Sequence, residues 1–304
     1  MYHLAAIFPR VGRINMRLTR DQVMLLFIAV NEIFLGMEHY LAHLISGTIR
    51  PHEAIPIVFG PAAGGVLLLA GIIALRAGNL ASALATITLL ASIAVGLLGC
   101  WYHVMRAVLP SGPLEAMLSF NLVHLIVWAP PVLGPLTASL IGLLGISAAW
   151  LEDPVDSGRL RLIGRFRVRL PYSKTRAFFF MIGLGVLATL ISSVLDHART
   201  DFSNPWLWVP VAAGVLGTVV PVMLGMVKKP SRADLITYFI TMLLLVAVGI
   251  AGLALHVQHD LTAQSQVVPE RFIRGAPFMA PMLFSDMGVL GLVILLDPRG
   301  KKQL

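Results

Sequence analysis

Two short stretches, GLLGCWYHV (96–104) and GIAGLALHV (249–257), share one pattern: a glycine, a second glycine three residues later, and a His-Val pair four residues after that. Both lie in long apolar runs of a 304-residue chain that is 57% hydrophobic and 12% charged. That composition is too apolar for a soluble domain of this size. Runs of about 20 apolar residues are long enough to cross a bilayer as helices. The sequence therefore predicts an all-α integral membrane protein.

The apolar runs predict eight transmembrane helices. We place them at 21–46, 55–77, 80–106, 131–150, 175–198, 205–227, 233–258 and 276–297. Eight crossings put both ends of the chain on one side, and eighteen of the 23 Lys and Arg residues fall on that side. The positive-inside rule then predicts that both termini are cytoplasmic, in a bacterial inner membrane. The histidines, apart from His3, fall in or near the outer half.

The opening match belongs to a longer internal duplication. MEHY (37–40) matches LDHA (195–198), PIVFGPAAGGVL (56–67) matches PWLWVPVAAGVL (205–216), and PVLGPLTASLIGLLG (131–145) matches PFMAPMLFSDMGVLG (277–291). The four matches keep the same order, with offsets between 146 and 158 residues. Each copy holds four spans, so both copies have the same orientation, as in a parallel repeat with its pseudo-twofold axis along the membrane normal. We predict two four-helix bundles.

This duplication divides the chain into five parts. They are a basic cytoplasmic N-terminus (1–20), a first four-helix repeat (21–150), a basic cytoplasmic linker (151–174), a second four-helix repeat (175–298) and a cytoplasmic tail (299–304). Within the linker, RLRLIGRFRVRL (159–170) alternates arginine with apolar residues at a period of two. We interpret it as a basic strip that lies on anionic lipid headgroups.

The duplicated histidines suggest a haem site in each half. His39 and His103 lie on the first and third helices, which are diagonal in an up-down bundle, and His197 and His256 repeat the arrangement. Two imidazoles at similar depth can bind one haem iron from both faces, so haem b is the first candidate cofactor. Five glycines on or near the same faces would open space for the macrocycle: Gly36, Gly96, Gly99, Gly249 and Gly252. Close helix packing is the competing explanation for these glycines.

A non-haem ion such as copper or iron is the second interpretation. His39 and His43 are four residues apart and share a helical face, and His197 and Asp201 are the equivalent pair. Acids precede the repeated histidines, and His103 or His256 completes the set. The candidate ligands are Glu38, His39, His43 and His103 in the first half, and Asp196, His197, Asp201 and His256 in the second. A third interpretation is that the histidines are hydrogen-bonded pins between helices, without a cofactor.

Two acids break the symmetry of the repeat. Glu32 lies in the middle of the first span where its counterpart is Leu190, and Asp286 lies in the eighth span where the first half has Leu140. Carboxyl groups at bilayer depth are costly and usually functional. They are candidates for proton transfer or for contact with a quinone headgroup, and a structural tie between helices is the equal alternative.

Two stretches carry a family resemblance. MEHYLAHL (37–44) and LVHLIVWAPPVLGPL (122–136) resemble the histidine and Ala-Pro-Pro segments of the CtaG-type cytochrome oxidase copper-assembly proteins, over about 25 residues. The paired four-helix architecture is similar to that of the quinone-reactive membrane subunits of the NrfD type. Both resemblances imply a respiratory membrane.

The sequence thus predicts a membrane redox protein that passes electrons between a partner and the quinone pool. The partner would be another subunit of a respiratory-type complex or a periplasmic redox protein, and membrane lipids surround the chain. Metal handling is the first alternative, and a transporter or a cofactor-free anchor subunit is the second. The net charge of +8 reports membrane orientation rather than binding to nucleic acid. No nucleophile triad, phosphate loop or nucleotide fingerprint occurs.

Overall fold

The structure, a computed structural model, describes residues 3–13, 18–44, 47, 49–74, 76–108, 131–162, 166–262 and 270–298. This part of the chain is mostly helical, and the predicted tail at 299–304 lies outside it. The α-helices are α1 (Leu4–Ile7), α2 (Arg20–Leu44), α3 (Ala54–Ile73), α4 (Gly78–Val108), α5 (Leu133–Ala149), α6 (Lys174–Ala198), α7 (Trp208–Met226), α8 (Arg232–Thr262), α9 (Arg271–Arg274) and α10 (Met282–Ile294). Single turns of 3₁₀-helix cover Pro9–Arg13 and Pro205–Leu207.

Within the described residues, six helices are long and apolar enough to cross a membrane: α2, α3, α4, α6, α7 and α8. The chain is therefore an integral membrane protein, as predicted. The predicted fourth and eighth spans correspond to the shorter apolar helices α5, with 17 residues, and α10, with 13. Residues 278–281 form turns ahead of α10. Pro277 and Pro281 have no N–H to donate to a preceding helical turn, which delays the start of the helix.

Two of the long helices begin with reciprocal side-chain caps. At α2, the Gln22 side chain accepts from the Thr19 N–H and the Thr19 hydroxyl accepts from the Gln22 N–H. At α8, Ser231 and Asp234 exchange the same two bonds. Such capping boxes satisfy backbone donors that the first helical turn leaves without partners. The local sequence therefore explains where these helices start.

The long and short apolar helices form two sets of four. In the first set, α2 packs on α3, α3 on α4 and α4 on α5, and α5 packs back on α2. In the second set, α6, α7, α8 and α10 follow one another in the same way, and α10 packs back on α6. The sets meet where α2 contacts α10 and where α5 contacts α6.

The junction between α4 and α5 depends on small residues. A Cβ atom at Gly99 would lie 2.8 Å from Cβ of Pro135, and one at Gly96 would lie 2.8 Å from the Pro135 carbonyl oxygen. The Ser139 hydroxyl of α5 donates to the Ile93 carbonyl of α4 at 3.0 Å. The two backbones therefore approach each other as closely as glycine permits.

The junction between α8 and α10 has the same contacts. A Cβ atom at Gly252 would lie 2.7 Å from Cβ of Pro281, and one at Gly249 would lie 2.7 Å from the Pro281 carbonyl oxygen. The Ser285 hydroxyl donates to the Val246 carbonyl at 2.8 Å. Each serine thus bonds the carbonyl three residues before the first of the two repeated glycines: Ile93 before Gly96 in α4, and Val246 before Gly249 in α8.

The two ends of the bundle differ in their side chains. We call the end at which α2, α4, α6 and α8 finish the histidine end, because it carries His39, His43, His103, His197 and His256. The opposite end, where α2 and α6 begin, is the arginine end. There a three-stranded antiparallel sheet follows α5, in the order β1 (Leu151–Glu152), β2 (Arg159–Arg161) and β3 (Arg167–Arg169).

A buried charge network joins the two sets of helices at the arginine end. The Lys174 ammonium donates to Asp21 Oδ2 and to the Trp150 carbonyl, both at 2.6 Å. Arg20 donates to Asp21 Oδ1 at 3.1 Å and to the Thr175 hydroxyl at 2.7 Å. Asp21 thus sits between two buried cations, one from the start of α2 and one from the start of α6.

Candidate functional site

Three histidines of the first half come together at the histidine end. His39 continues the inward stripe of α2 that includes the buried residues Ile28, Glu32 and Leu35. Its ring lies 6.5 Å from the ring of His43, nearly parallel to it.

The third histidine comes from α4. The His103 ring lies 6.2 Å from the His43 ring at an angle of 72°. On its own helix, His103 lies on the same face as the buried residues Leu89, Ser92 and Gly96, and it is itself half-buried. The structure therefore places His39, His43 and His103 near one another, and we call these residues the three-histidine cluster.

Backbone carbonyls fix the protonation pattern of these rings. Nδ1 of His39 lies 2.6 Å from the Leu35 oxygen, and Nδ1 of His43 lies 2.8 Å from the His39 oxygen. Nδ1 of His103 lies 2.9 Å from the Pro131 oxygen, across the α4–α5 junction. A carbonyl oxygen can only accept, so Nδ1 must carry the hydrogen in each ring. In the neutral ring the lone pair is then on Nε2, which is one of the two nitrogens through which histidine binds metals.

The second half is arranged differently. The His197 ring packs on Phe202 at 6.2 Å, and Phe202 in turn stacks on Trp208 at 4.6 Å. Asp196 forms a half-exposed ion pair with Arg199, with 3.8 Å between the nearest atoms. His256 keeps the contact of its counterpart, because its Nδ1 lies 3.1 Å from the Pro277 oxygen.

Two further predicted metal ligands, Asp201 and Glu38, lie in different surroundings. We expected Asp201 to lie one helical turn after His197, but α6 ends at Ala198 and Asp201 is exposed, with a positive φ of 51°. The chain has left the helix, so the spacing of four residues no longer places the two side chains on one face. Glu38 is half-buried, and no hydrogen bond or ion pair of its carboxylate occurs among the described residues.

The glycines do not open a space for a macrocycle. Pro135 and Ser139 fill the side of Gly96 and Gly99, and Pro281 and Ser285 fill the side of Gly249 and Gly252. Gly36 is covered by Pro61 of α3. A glycine on a helix face predicts a cavity and a close neighbour equally well, and here a neighbouring helix occupies the space. Helix packing therefore accounts for all five glycines.

The two unmatched acids both have partners. Glu32 is 1% exposed and accepts a hydrogen bond from the Ser92 hydroxyl of α4. Asp286 Oδ1 accepts from the Asn31 amide at 2.8 Å, which links α10 to α2 across the two sets. These contacts support the alternative that each acid ties two helices together.

Sequence reasoning missed the network of Arg20, Asp21 and Lys174. The sequence does show charged residues at the starts of two apolar helices, α2 and α6. We used such residues only as evidence of membrane orientation. No part of the pattern indicated that α2 and α6 begin side by side, so the pairing became visible only in the fold.

Within the described ranges, no three His, Cys, Asp or Glu side chains are arranged to hold a metal ion as they stand. No known family model matches the sequence, and no curated protein or solved structure matches it significantly. The assignment of function consequently depends on the residues themselves.

Proposed function

We propose that the chain crosses the membrane eight times as two like-oriented four-helix repeats, with its arginine end in the cytoplasm. The identical junctions of α4 with α5 and of α8 with α10 support the duplication. The shorter helices α5 and α10 are covered by neighbours on several sides, so they complete the bundles even though each is shorter than a usual span. The concentration of basic residues at one end supports the orientation.

We propose further that the three-histidine cluster binds a transition-metal ion at the outer face. The supporting observation is that the rings of His39, His43 and His103 lie near one another and that a carbonyl oxygen accepts from Nδ1 of each ring, so Nε2 is the nitrogen through which each would bind a metal. Imidazole ligands suit copper, zinc, iron and nickel. The ring centres are 6.2 and 6.5 Å apart along the cluster, so a shared ion would require side-chain rotation to draw the nitrogens together.

This position favours capture of an ion from the outer side and its transfer to another membrane protein. A half-buried cluster at a helix end is accessible to a partner, whereas a structural metal site is usually closed. His39 has His43 beside it, whereas His197 has the stacked rings of Phe202 and Trp208. We therefore assign the ion to the first half alone.

The test is metal binding by the purified protein and its histidine variants. We expect wild-type protein in detergent to bind about one Cu²⁺ or Zn²⁺ tightly, and His39→Gln and His43→Gln each to weaken binding by about tenfold or more. His259→Gln is the matched control, because His259 is an exposed histidine at the same end. Equal affinities in wild type, His39→Gln and His43→Gln would exclude the proposed site.

A haem-carrying redox protein is the second candidate. It is favoured by the position of His39 and His103 on α2 and α4, two helices that are not neighbours in the ring of four, and by the half-burial of both histidines. Such a protein would pass electrons between an outer-face partner and quinone, with Glu32 and Asp286 as candidates for the proton path. The same purified sample separates the candidates, because haem gives a strong visible absorption band that His39→Gln and His103→Gln would remove. A bound metal ion without that band supports metal handling.

A further inference from the structure

A pocket of about 410 Å³ opens at the arginine end, between the sheet and the start of α6. Three basic side chains line it: Arg169 from β3, Arg176 from α6 and Lys228, which follows α7. Tyr172 and Ser173 contribute hydroxyl groups. The acid in its lining is Asp156, whose carboxylate accepts from the Thr175 hydroxyl at 3.4 Å. The pocket therefore combines a positive charge excess with hydroxyl donors.

The sheet next to the pocket concentrates positive charge on one face. Arg159 lies directly opposite Arg169, and Arg161 lies directly opposite Arg167. All four arginines are exposed and share a face, because residues two apart in a strand point the same way. Like charges directly opposite each other destabilise a sheet. An anionic partner at this face would offset that repulsion. The other face of the sheet packs inward, since Leu160 is 3% exposed.

Arg176 is held in position within the pocket. Its Nε donates to the Gly225 carbonyl at 2.6 Å and its Nη2 donates to the Met226 carbonyl at 3.1 Å. The guanidinium also stacks on the Tyr172 ring, with 4.9 Å between carbon and ring centre. These two bonds use two of its five N–H donors. The group is thus oriented by the end of α7 while it still presents donors to a ligand.

An apolar track begins where the pocket ends. Leu216, Val219, Met223 and Met226 lie on one face of α7, and each is between 49 and 61% exposed. Met226 provides the carbonyl that fixes Arg176. A ligand with a phosphate in the pocket and hydrocarbon chains along this face would match both surfaces. A free phosphate would use only the first.

We propose that this pocket binds the headgroup phosphate of an anionic phospholipid, with the acyl chains along α7. Anionic lipids are enriched on the cytoplasmic side, and basic pockets at that side of membrane proteins bind such headgroups. The arginine face of the sheet attracts the negatively charged surface, and Arg169, Arg176 and Lys228 select one lipid from it. This site is independent of the metal proposed at the histidine end.

The test measures binding of short-chain lipids to the full-length protein in detergent, by native mass spectrometry and thermal unfolding. Dioctanoyl phosphatidylglycerol is expected to bind in a saturable way and to raise the melting temperature. Dioctanoyl phosphatidylcholine and sodium phosphate are expected to do neither. The double variant Arg169→Gln, Lys228→Gln is expected to lose about tenfold in affinity for phosphatidylglycerol, since charged hydrogen bonds are removed.

The matched control is Arg161→Gln, because Arg161 belongs to the same arginine face but does not line the pocket. We expect it to retain most of the affinity. An equal loss in Arg161→Gln and in the double variant would mean diffuse surface attraction and would overturn the pocket. Equal responses to phosphatidylcholine and phosphatidylglycerol would also overturn the proposal, as would a response to phosphate as strong as that to the lipid.

Discussion

The junction of α4 with α5 and the junction of α8 with α10 match contact for contact. At the histidine end, by contrast, the two halves of the molecule differ. In each junction two glycines face a proline and a serine, and the serine hydroxyl bonds a carbonyl of the glycine-bearing helix. In each, a histidine Nδ1 also lies near a proline carbonyl oxygen ahead of the short helix. His103 lies 2.9 Å from the Pro131 oxygen, and His256 lies 3.1 Å from the Pro277 oxygen. The repeated Gly-Gly-His pattern is thus a packing pattern.

Several of the candidate functional residues have no counterpart in the other half. His43 completes the three-histidine cluster in the first half, and the residue we aligned with it, Asp201, lies exposed in a turn. Glu32 and Asp286 likewise stand opposite leucines in our alignment. Repetition therefore identifies what holds each bundle together, and departure from repetition indicates where function is to be sought.

The largest effect is expected at the contact between the two sets of helices. Asp21→Asn leaves the buried cations Arg20 and Lys174 without an anion, so we expect it to lower the free energy of unfolding by about 3–5 kcal/mol. Lys174→Met is expected to cost less, because Arg20 still pairs with Asp21. Thermal or denaturant unfolding in detergent measures both.

Two further variants sharpen this result. Asp153→Asn, at an exposed aspartate of the same end, serves as the control and should change little. The double variant Asp21→Asn, Lys174→Met should be more stable than Asp21→Asn alone, because it removes one of the two uncompensated charges. If Asp21→Asn were as stable as the wild type, the network would not hold the two sets together.

The next effect tests whether the two junctions are equivalent. Gly96→Ala and Gly249→Ala each place a methyl group against a proline carbonyl and a serine, and we expect each to lower the free energy of unfolding by about 1–3 kcal/mol. Gly71→Ala is the matched control, since a Cβ atom there meets nothing within 4 Å. Alanine at such an open helical position stabilises by about 0.5–1 kcal/mol. A marked difference between Gly96→Ala and Gly249→Ala would break the equivalence.

Much of the fold could be predicted from local patterns. Apolar runs of the right length located the long helices. The all-α prediction did not include strands β2 and β3, which form where arginine alternates with apolar residues at a period of two and where we had interpreted only a basic strip. Hydropathy did not reveal that α10 begins only at Met282, because residues 278–281 before it are apolar too. Those residues form turns, and proline at 277 and 281 interrupts regular helix there, which average hydropathy does not record.

The candidate site was only partly predictable. Helical spacing correctly placed His39 and His43 on one face, because α2 continues to Leu44. The same spacing failed for His197 and Asp201 because α6 ends between them. The glycines left two interpretations open for a different reason: periodicity gives the face on which a residue lies, but it does not say whether a cavity or a helix stands against that face.

The smallest effect tests whether the halves are independent. Ser139→Ala and Ser285→Ala each remove one hydroxyl bond to a carbonyl, and each is expected to lower the free energy of unfolding by about 0.5–1.5 kcal/mol. Ser203→Ala, at an exposed serine, is the control. The two serines share no partner, so the double variant should lose the sum of the single effects if each bundle is stabilised by its own junction. A double variant that loses clearly less or more than the sum would mean that the contacts of α2 with α10 and of α5 with α6 transmit strain between the bundles, and that the two junctions are parts of one unit.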